Sequence, residues 1–260
     1  MSENPVRHIL CISGGKDSSA LAVYMRDRVP EMEYVFCDTQ KELQETYDFL
    51  AKLEAFLGKP IVRLNAEAGF DHWLQVYNGY LPSPRMRWCT RLLKIRPLED
   101  YVGEGETISY VGLRADENRE GYISTKPNLQ PRYPFREDGI VEADVYRILE
   151  EAGLGLPDYY KWRSRSGCYF CFFQRKTEWV GLLENHPDLF EKAKSYEKAD
   201  PVTGERYTWQ RGESLAELAR PERIKQIRDR QVPKPVPGGQ TLMRVLADEE
   251  SEDACLICEL

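Results

Sequence analysis

The sequence predicts an α/β protein with a doubly wound, Rossmann-like parallel sheet and a smaller, mostly helical C-terminal part. In the first half, short apolar runs alternate with amphipathic stretches, and a glycine-rich turn directly follows the first run. The second half contains further helical stretches and an aromatic, basic segment. The chain has 260 residues, 42% hydrophobic and 30% charged, which suffices for one well-buried domain with a small appendage.

Four short apolar runs are predicted to be strands: residues 8–12, 34–38, 61–65 and 108–114. Between them, helices are expected at residues 18–28 and 42–58. In the second helix Leu50, Leu53 and Leu57 recur every three or four residues, and Gly58 ends it. Strands separated by helices join through right-handed crossovers, so we expect a parallel sheet whose ligands bind at the carboxyl ends of the strands.

The second half begins with prolines at positions 127, 131 and 134, which predict a loop. Helices follow within residues 140–154 and 179–199. Residues 232–239, VPKPVPGG, have the composition of a linker, and the last residues form an acidic tail that contains C-x-x-C.

The charge balance limits the class of partner. The chain carries 36 Lys and Arg against 43 Asp and Glu, a net charge of −7, so bulk attraction does not hold it on nucleic acid. Local basic patches stay possible at residues 81–91 and 159–165, although the second also fits an aromatic cluster facing the core. No run of 18 apolar residues occurs, and the N-terminus lacks a signal-peptide pattern, so we expect a soluble cytoplasmic protein without a membrane partner.

The strongest motif is SGGKDS, between the first predicted strand and the first helix. Its residues are Ser13, Gly14, Gly15, Lys16, Asp17 and Ser18. The glycines permit a tight turn and a close approach to a ligand, while the helix-start amides and Lys16 favour an anion such as phosphate. The motif is not the G-x-x-x-x-G-K-[ST] loop of nucleoside triphosphatases, because the glycine spacing differs and Asp17 follows the lysine.

This motif resembles the PP-loop of the ATP pyrophosphatase superfamily, in which the loop holds the phosphates of ATP. Residues 37–39 and 45–47 resemble the D-T-G…E-T-Y stretch of phosphoadenylyl-sulfate (PAPS) reductases. Residues 89–97 resemble their C-x-x-x-K-x-x-P region, and residues 112–119 their G-x-R-x-x-E-S-x-R stretch. The resemblance covers residues 8 to 175 in order, and it implies an adenine nucleotide α-hydrolase-like fold that binds ATP and Mg²⁺.

The resemblance also implies roles for individual residues. Lys16, Asp17 and Arg114 are expected to act in catalysis, Asp38 to contact a ribose or Mg²⁺, and Arg114 with Arg119 to bind phosphate oxygens. For the arginines the alternative is a surface salt bridge to a neighbouring carboxylate. The expected organisation is a PP-loop nucleotide-binding domain at residues 1–150, a helical, cysteine-containing region at 151–231, and a linker with the C-x-x-C tail at 232–260.

The chain has seven cysteines, an odd number that argues against a disulfide framework. Cys11 and Cys37 lie in apolar runs and are predicted to be buried. By the resemblance, Cys89, Cys168 and Cys171 would hold a [4Fe–4S] cluster and leave one iron open. Zinc is the alternative, with Cys168 and Cys171 joined by the tail cysteines Cys255 and Cys258. The tail could instead supply the fourth cluster ligand, carry a persulfide, or have no role.

The chain most resembles the sulfurtransferases of bacterial DNA phosphorothioation. That likeness implies an enzyme that adenylates a substrate oxygen and inserts sulfur, with a cysteine desulfurase as donor and with DNA reached through partner subunits. A PAPS or adenylyl-sulfate reductase is the second hypothesis, although the E-C-G-x-H motif of such reductases is missing. Transfer-RNA thiolation is the third, and a non-catalytic nucleotide-binding or scaffold subunit is the fourth. A homodimer is also possible.

Overall fold

A computed structural model of the protein describes residues 5–118, 126–199 and 203–231. Its centre is a five-stranded sheet in the order β3-β2-β1-β4-β5, in which every neighbouring pair is parallel. The strands are β1 (Arg7–Cys11), β2 (Glu33–Asp38), β3 (Ile61–Asn65), β4 (Thr107–Tyr110) and β5 (Leu129–Arg132). The predicted α/β class with a parallel sheet is confirmed.

The edge strand β5 differs from the sequence prediction, which placed a proline-rich loop there. Pro131 stands opposite Ser109 of β4 within the parallel ladder. A proline lacks an amide hydrogen, but an edge strand tolerates it because only one side of the strand has to pair. The loop prediction is therefore wrong for residues 129–132, and the fourth strand ends at Tyr110 rather than at residue 114.

Helices cover both faces of the sheet. The long helices of the first part are α1 (Lys16–Met25), α2 (Gln44–Leu57), α5 (Arg96–Val102) and α7 (Glu142–Glu151). Successive residues of a strand point to opposite faces. Accordingly Leu10 packs in one buried cluster with residues of α1, α2 and α7, whereas Ile9 packs in another with residues of α5. Cys11 and Cys37 lie in the second cluster, and their predicted burial is confirmed.

The remaining elements are short and mostly helical. They are α3 (Phe70–Val76), α4 (Trp88–Thr90), a π-helical turn (Arg91–Ile95), α6 (Pro134–Glu137), a 3₁₀ turn (Asp158–Lys161), α8 (Lys176–Asn185), α9 (Pro187–Ser195), β6 (Lys198–Ala199), β7 (Arg206–Tyr207), α10 (Leu215–Leu218) and α11 (Pro221–Gln231). β6 and β7 form a small antiparallel pair. Within the described ranges, no helix is long and apolar enough to cross a membrane.

An aromatic core holds the C-terminal part on the sheet domain. Phe70 of α3 packs on Phe170 with ring centroids 4.3 Å apart and on Trp88 at 5.1 Å. Trp209 stacks on Phe170 at 4.9 Å and lies 6.2 Å from Trp179 of α8. This core therefore contains residues from both sides of position 150, and it fixes the segment around Cys168 against the segment around Cys89.

Candidate active site

The loop of residues 13–18 joins β1 to α1 in a compact turn. Gly14 has φ +75°, and a Cβ there would lie 2.5 Å from Thr46 Cγ2, so the position admits only glycine without strain. The Ser13 amide donates to Ser18 Oγ at 3.1 Å, and the Gly15 amide donates to Ser13 Oγ at 3.3 Å. The predicted order of strand, tight turn and helix is confirmed, and it places the start of α1 at the carboxyl edge of the sheet.

The strand order brings a second segment to the same place. The chain runs from β1 outward to β3 and then returns to β4 on the other side of β1, which creates a crevice between β1 and β4. A Cβ on Gly112, just after β4, would lie 3.0 Å from the Asp17 backbone, so the two segments are in close contact. Arg114 Nη1 then donates to Asp17 Oδ1 at 2.7 Å. The crevice thus unites Lys16, Asp17 and Arg114, the three residues expected to act in catalysis.

Carboxylates surround both cations of this crevice. Lys16 Nζ lies 2.9 Å from Asp17 Oδ2 and 3.3 Å from Glu142 Oε1. Burial by itself lowers the pKa of Lys16, but the attraction of Asp17 and Glu142 outweighs it and the pKa is raised. Arg114 behaves likewise: burial by itself lowers its pKa, but the attraction of Asp17 outweighs this effect and the pKa is raised. Both side chains therefore stay protonated at neutral pH.

Arg114 has further partners, Asp116 at 2.9 Å and Glu117 at 3.0 Å, so the salt bridge considered as the alternative for this residue is also present. A magnesium-bound triphosphate requires cations that bind its phosphate oxygens and carboxylate oxygens that bind its metal ion, and this crevice contains both. In its donor chemistry the crevice fits ATP with Mg²⁺. Arg119 lies outside the described residues.

Asp38 ends β2, beside the crevice. Its Oδ1 accepts hydrogen bonds from the Gln40 amide at 2.8 Å and the Tyr47 hydroxyl at 2.7 Å. Gln40 has φ +58°, a left-handed conformation at the position where the PAPS reductase pattern has glycine. A contact of Asp38 with a ribose or Mg²⁺ stays a prediction.

Three cysteines, Cys89, Cys168 and Cys171, line one small cavity that Thr39 and Lys94 also border. Cys89 lies on α4, directly before the π-helical turn, and Cys168 follows it by 79 residues in the chain. The cysteine cavity, as we name it, has a volume of about 30 Å³, room for one or two water molecules. The tertiary structure thus unites the three thiols that the resemblance had grouped. Cys255 and Cys258 lie outside the described residues.

Polar groups hold Cys168 in place. Its Sγ lies 3.1 Å from Thr39 Oγ1 and 3.7 Å from Glu42 Oε1. Burial raises the pKa of the Cys168 thiol well above its ordinary value, and the nearby Glu42 adds to this effect. The buried guanidinium of Arg163 donates to the carbonyls of Gly167 and Cys168, each at 3.0 Å, and so fixes the turn that presents the thiol.

The donor set suits a cluster better than a single metal ion. In the parts of the chain that the structure describes, no group of three or more His, Cys, Asp or Glu side chains is arranged to hold a single metal ion. A [4Fe–4S] cluster places fewer demands on spacing, because each cysteine binds a different iron. Three thiols around one apolar cavity fit such a cluster in their chemistry, but a cavity of about 30 Å³ must widen to admit it.

The cysteine segment is tied to the loop by three hydrogen bonds. The Tyr159 hydroxyl donates to the Gly14 carbonyl at 2.8 Å, the Lys16 amide donates to the Tyr160 hydroxyl at 2.9 Å, and Ser166 Oγ donates to Ser13 Oγ at 3.1 Å. The aromatic side chains of residues 159–165 thus face the core, as one of the two sequence interpretations had it: Tyr159 is fully buried, and Tyr160 and Trp162 pack against the same cluster. Of the basic residues in the segment, Lys161 is exposed, Arg165 is half-buried and Arg163 is buried.

Sequence reasoning missed two groups of functional candidates. The first is the pair of tyrosine hydroxyls on the loop, for which the run of aromatic residues was the only available signal. The second comprises Glu42 and Glu142, which approach Cys168 and Lys16 respectively. Neither glutamate has a local pattern that distinguishes it from the other carboxylates of the chain, because both reach the site through tertiary contacts.

Comparisons with known proteins agree with this architecture. A family model described as "Phosphoadenosine phosphosulfate reductase domain" matches residues 7–130. An uncharacterised protein of Methanocaldococcus jannaschii is 26% identical over 196 residues, which cover 69% of this chain and 45% of that protein. A second uncharacterised protein of the same organism is 27% identical over 198 residues, 71% of this chain and 40% of that protein. The chain therefore spans less than half the length of these two relatives.

Other similar proteins have assigned activities. An adenosine 5'-phosphosulfate reductase of Staphylococcus haemolyticus is 28% identical over 107 residues, 41% of this chain and 44% of that protein. The structure of a phosphoadenylyl-sulfate reductase from Candida auris superposes with a TM-score of 0.50 at 14% identity, covering 64% of this chain and 82% of that one. A U34-tRNA thiolase from Methanococcus maripaludis superposes with a TM-score of 0.43 at 15% identity, covering 75% and 71% of the respective chains.

The match at residues 7–130 contains β1, the SGGKDS loop, Asp38, Cys89 and Arg114. The parallel sheet and the position of the loop agree with the same fold. Residues 7–130, slightly under half of the chain, are therefore similar to the phosphoadenosine phosphosulfate reductase domain.

Proposed function

We propose that this chain is an ATP pyrophosphatase-type sulfurtransferase, which adenylates a substrate oxygen and replaces it with sulfur. The observation that carries the proposal is the direct connection between the loop and the cysteine cavity. Ser166, two residues before Cys168, contacts Ser13 of the loop, and Cys168 itself contacts Thr39 at the end of β2. A nucleotide on the loop and a sulfur atom at the thiols would therefore meet at one edge of the sheet.

In the first step, an oxygen of the acceptor attacks the α-phosphorus of ATP. A bond forms between this oxygen and the α-phosphorus. The bond between the α-phosphorus and the oxygen that bridges it to the β-phosphate breaks, and pyrophosphate leaves with the electron pair. Lys16 and Arg114 neutralise the charge that develops on the phosphates, and Asp17 positions both cations through the contacts of 2.9 and 2.7 Å. The acceptor now carries AMP as a leaving group.

In the second step, sulfide at the cysteine cavity attacks the activated atom of the acceptor, and the bond to AMP breaks. Cys89, Cys168 and Cys171 would hold an iron–sulfur cluster whose open iron supplies a binding site for sulfide. A cysteine desulfurase is the proposed sulfur donor, supplying sulfur as a persulfide. A dithiol reductant would provide the two electrons that release this sulfur as sulfide, and its own thiols would be oxidised to a disulfide. The proposed acceptor is a non-bridging oxygen of the DNA backbone, with transfer RNA as the alternative acceptor.

A reductase of PAPS or adenylyl sulfate is the second candidate. The matching family model and the relative from Staphylococcus haemolyticus both carry such names. Against it, the E-C-G-x-H motif is missing from the sequence, and that motif would supply the nucleophilic thiol. A reductase turns over PAPS or adenylyl sulfate with a thiol donor and leaves ATP intact, so the choice of substrate separates the two candidates.

The decisive test is pyrophosphate release from ATP in the presence of a DNA or transfer-RNA acceptor, a desulfurase, cysteine and a dithiol reductant. Lys16→Ala should lower the rate by about 10²–10³-fold, because it removes a charge that stabilises the transition state. Lys52→Ala, an exposed lysine on α2, is the matched control and should retain the rate. Turnover of PAPS with thioredoxin and none of ATP would establish the reductase instead.

Cluster binding has its own test. Protein purified without oxygen should contain iron and absorb visible light, and Cys89→Ser should abolish both properties. The double substitution of Cys255 and Cys258 by serine should leave the cluster intact if the tail only relays sulfur, and loss of iron would make the tail a ligand. A colourless protein with stoichiometric zinc would contradict the cluster.

A further inference from the structure

One stretch of this acidic chain contains no acidic residue. Between Asp71 and Glu99 the sequence has no Asp or Glu, although the whole chain carries 43 of them. The same stretch contains five cations: Arg85, Arg87, Arg91, Lys94 and Arg96. A positive segment of this length inside a chain of net charge −7 concentrates cationic potential at one place on the surface.

The structure leaves three of these cations without a carboxylate. Arg85 and Arg91 are exposed and Arg87 is half-buried, and none of them has a carboxylate oxygen within 4 Å among the described residues. Arg96, by contrast, faces Asp100 at 4.0 Å, and Lys94 is buried at the cysteine cavity. We call Arg85, Arg87 and Arg91 the arginine rim.

The arginine rim lies beside the cysteine cavity. Cys89 stands between Arg87 and Arg91 in the chain and lines the cavity, as does Pro82 at the base of the same loop. The Arg87 guanidinium lies 5.1 Å from the centre of the Phe173 ring. Phe173 in turn packs on Phe172, a cavity residue, with ring centroids 4.4 Å apart. The rim is thus attached both to the loop of Cys89 and to the segment that follows Cys171.

We propose that the arginine rim binds the backbone phosphates of a nucleic-acid substrate and holds them at the cysteine cavity. This inference rests on the proposed function, because it assigns a surface to the acceptor of that reaction. Guanidinium groups bind phosphate oxygens through paired N–H donors, and exposed apolar side chains can contact the bases. The exposed side chains of Tyr80 and Met86, 41% and 44% accessible, flank the rim.

The choice of nucleic acid over an acidic protein or a lipid surface follows from the arrangement. Three guanidinium groups within seven residues suit a ligand with regularly spaced charges, which a phosphodiester chain provides. A membrane surface would require a larger apolar face than Tyr80 and Met86 present. Because the whole chain has a net charge of −7, nucleic acid is attracted only at this surface. Binding should therefore be weak and strongly dependent on salt.

The test measures binding of the full chain to a fluorescein-labelled single-stranded DNA of about 20 nucleotides, roughly two site sizes of a single-strand binding fold. The variant is Arg85→Gln/Arg87→Gln/Arg91→Gln. Its matched control is Arg211→Gln/Arg220→Gln/Lys225→Gln, which removes three exposed cations from the surface near α10 and α11. Thermal unfolding of both variants checks that they fold.

The rim variant should lose about tenfold to hundredfold in affinity at 0.1 M salt. The slope of log affinity against log salt should fall in magnitude by about 2, since single strands release about 0.7 counterions for each phosphate contact. The control variant should bind as the wild type does. Equal losses in both variants, or equal binding of the wild type to vesicles of phosphatidylserine, would overturn the inference.

These outcomes remain distinct from failure of the proposed function. Binding that depends on the arginine rim, without any ATP turnover, would support nucleic-acid binding by the rim and refute the proposed sulfurtransferase activity. ATP turnover with an acceptor, together with full binding by the rim variant, would support the proposed sulfurtransferase activity and refute nucleic-acid binding by the rim.

Discussion

Gly14 gives the sharpest test of the loop geometry, because two separate costs of adding a side chain can be measured. An alanine at φ +75° costs about 1–2 kcal/mol in backbone energy. Its Cβ would also lie 2.5 Å from Thr46 Cγ2, where ordinary contacts begin at 3.4 Å, and overpacking of this kind costs about 1–3 kcal/mol. Gly14→Ala should therefore lower the free energy of unfolding by about 2–5 kcal/mol.

Two further variants separate the costs. Gly58 has φ +65°, and a Cβ added there would have nothing within 4 Å, so Gly58→Ala should show the backbone cost alone. Thr46→Ser removes Cγ2, and in that background Gly14→Ala should cost about 1–3 kcal/mol less than in the wild type. Urea unfolding followed by tryptophan fluorescence measures the free energy of unfolding of the wild type, of the three single variants and of the double variant. An unchanged cost of Gly14→Ala in the Thr46→Ser background would refute the close approach of the loop to α2.

Two other predictions concern the segment that joins the loop to the cysteines. Tyr159→Phe should lower the free energy of unfolding by about 1–3 kcal/mol, since it leaves the buried Gly14 carbonyl without its donor, and urea unfolding that shows no loss would contradict this bond. Glu178 is buried, which by itself raises its pKa, but Arg163 and hydrogen bonds from Ser164 lower the pKa below its ordinary value. Its contribution to stability should therefore be full above the unfolded pKa of about 4.3 and should decline as the pH falls below it. Unfolding curves from pH 6 to pH 3 should show a smaller acid-induced loss for Glu178→Gln, and equal losses would contradict the pKa direction.

Several features of this protein follow from local sequence patterns. The alternation of apolar runs and amphipathic helices is sufficient to predict the α/β class, because the spacing of apolar residues and the length of an apolar run are properties of neighbouring residues. The SGGKDS turn is equally local, as are the buried Cys11 and Cys37 inside their strands. The resemblance to PAPS reductases grouped Cys89 with Cys168 and Cys171, and these three do share a cavity.

Other features depend on contacts between distant segments. β5 contains Pro131, and its pairing with β4 overrides a local preference for a loop. The ion pairs of Lys16 with Glu142 and of Arg114 with Asp17 join residues about a hundred positions apart, so no local pattern indicates them.

The sequence by itself determined the class of fold, the glycine-rich SGGKDS loop and the residue types available for chemistry, since each of these depends on residues close together in the chain. Only the tertiary structure decided which groups meet. It turned Tyr159 and Tyr160 inward, where they hold the loop, and it placed the arginine rim outside, beside the cysteine cavity. The physical reason is that burial and pairing are settled by what a side chain packs against, which the order of neighbouring residues does not specify.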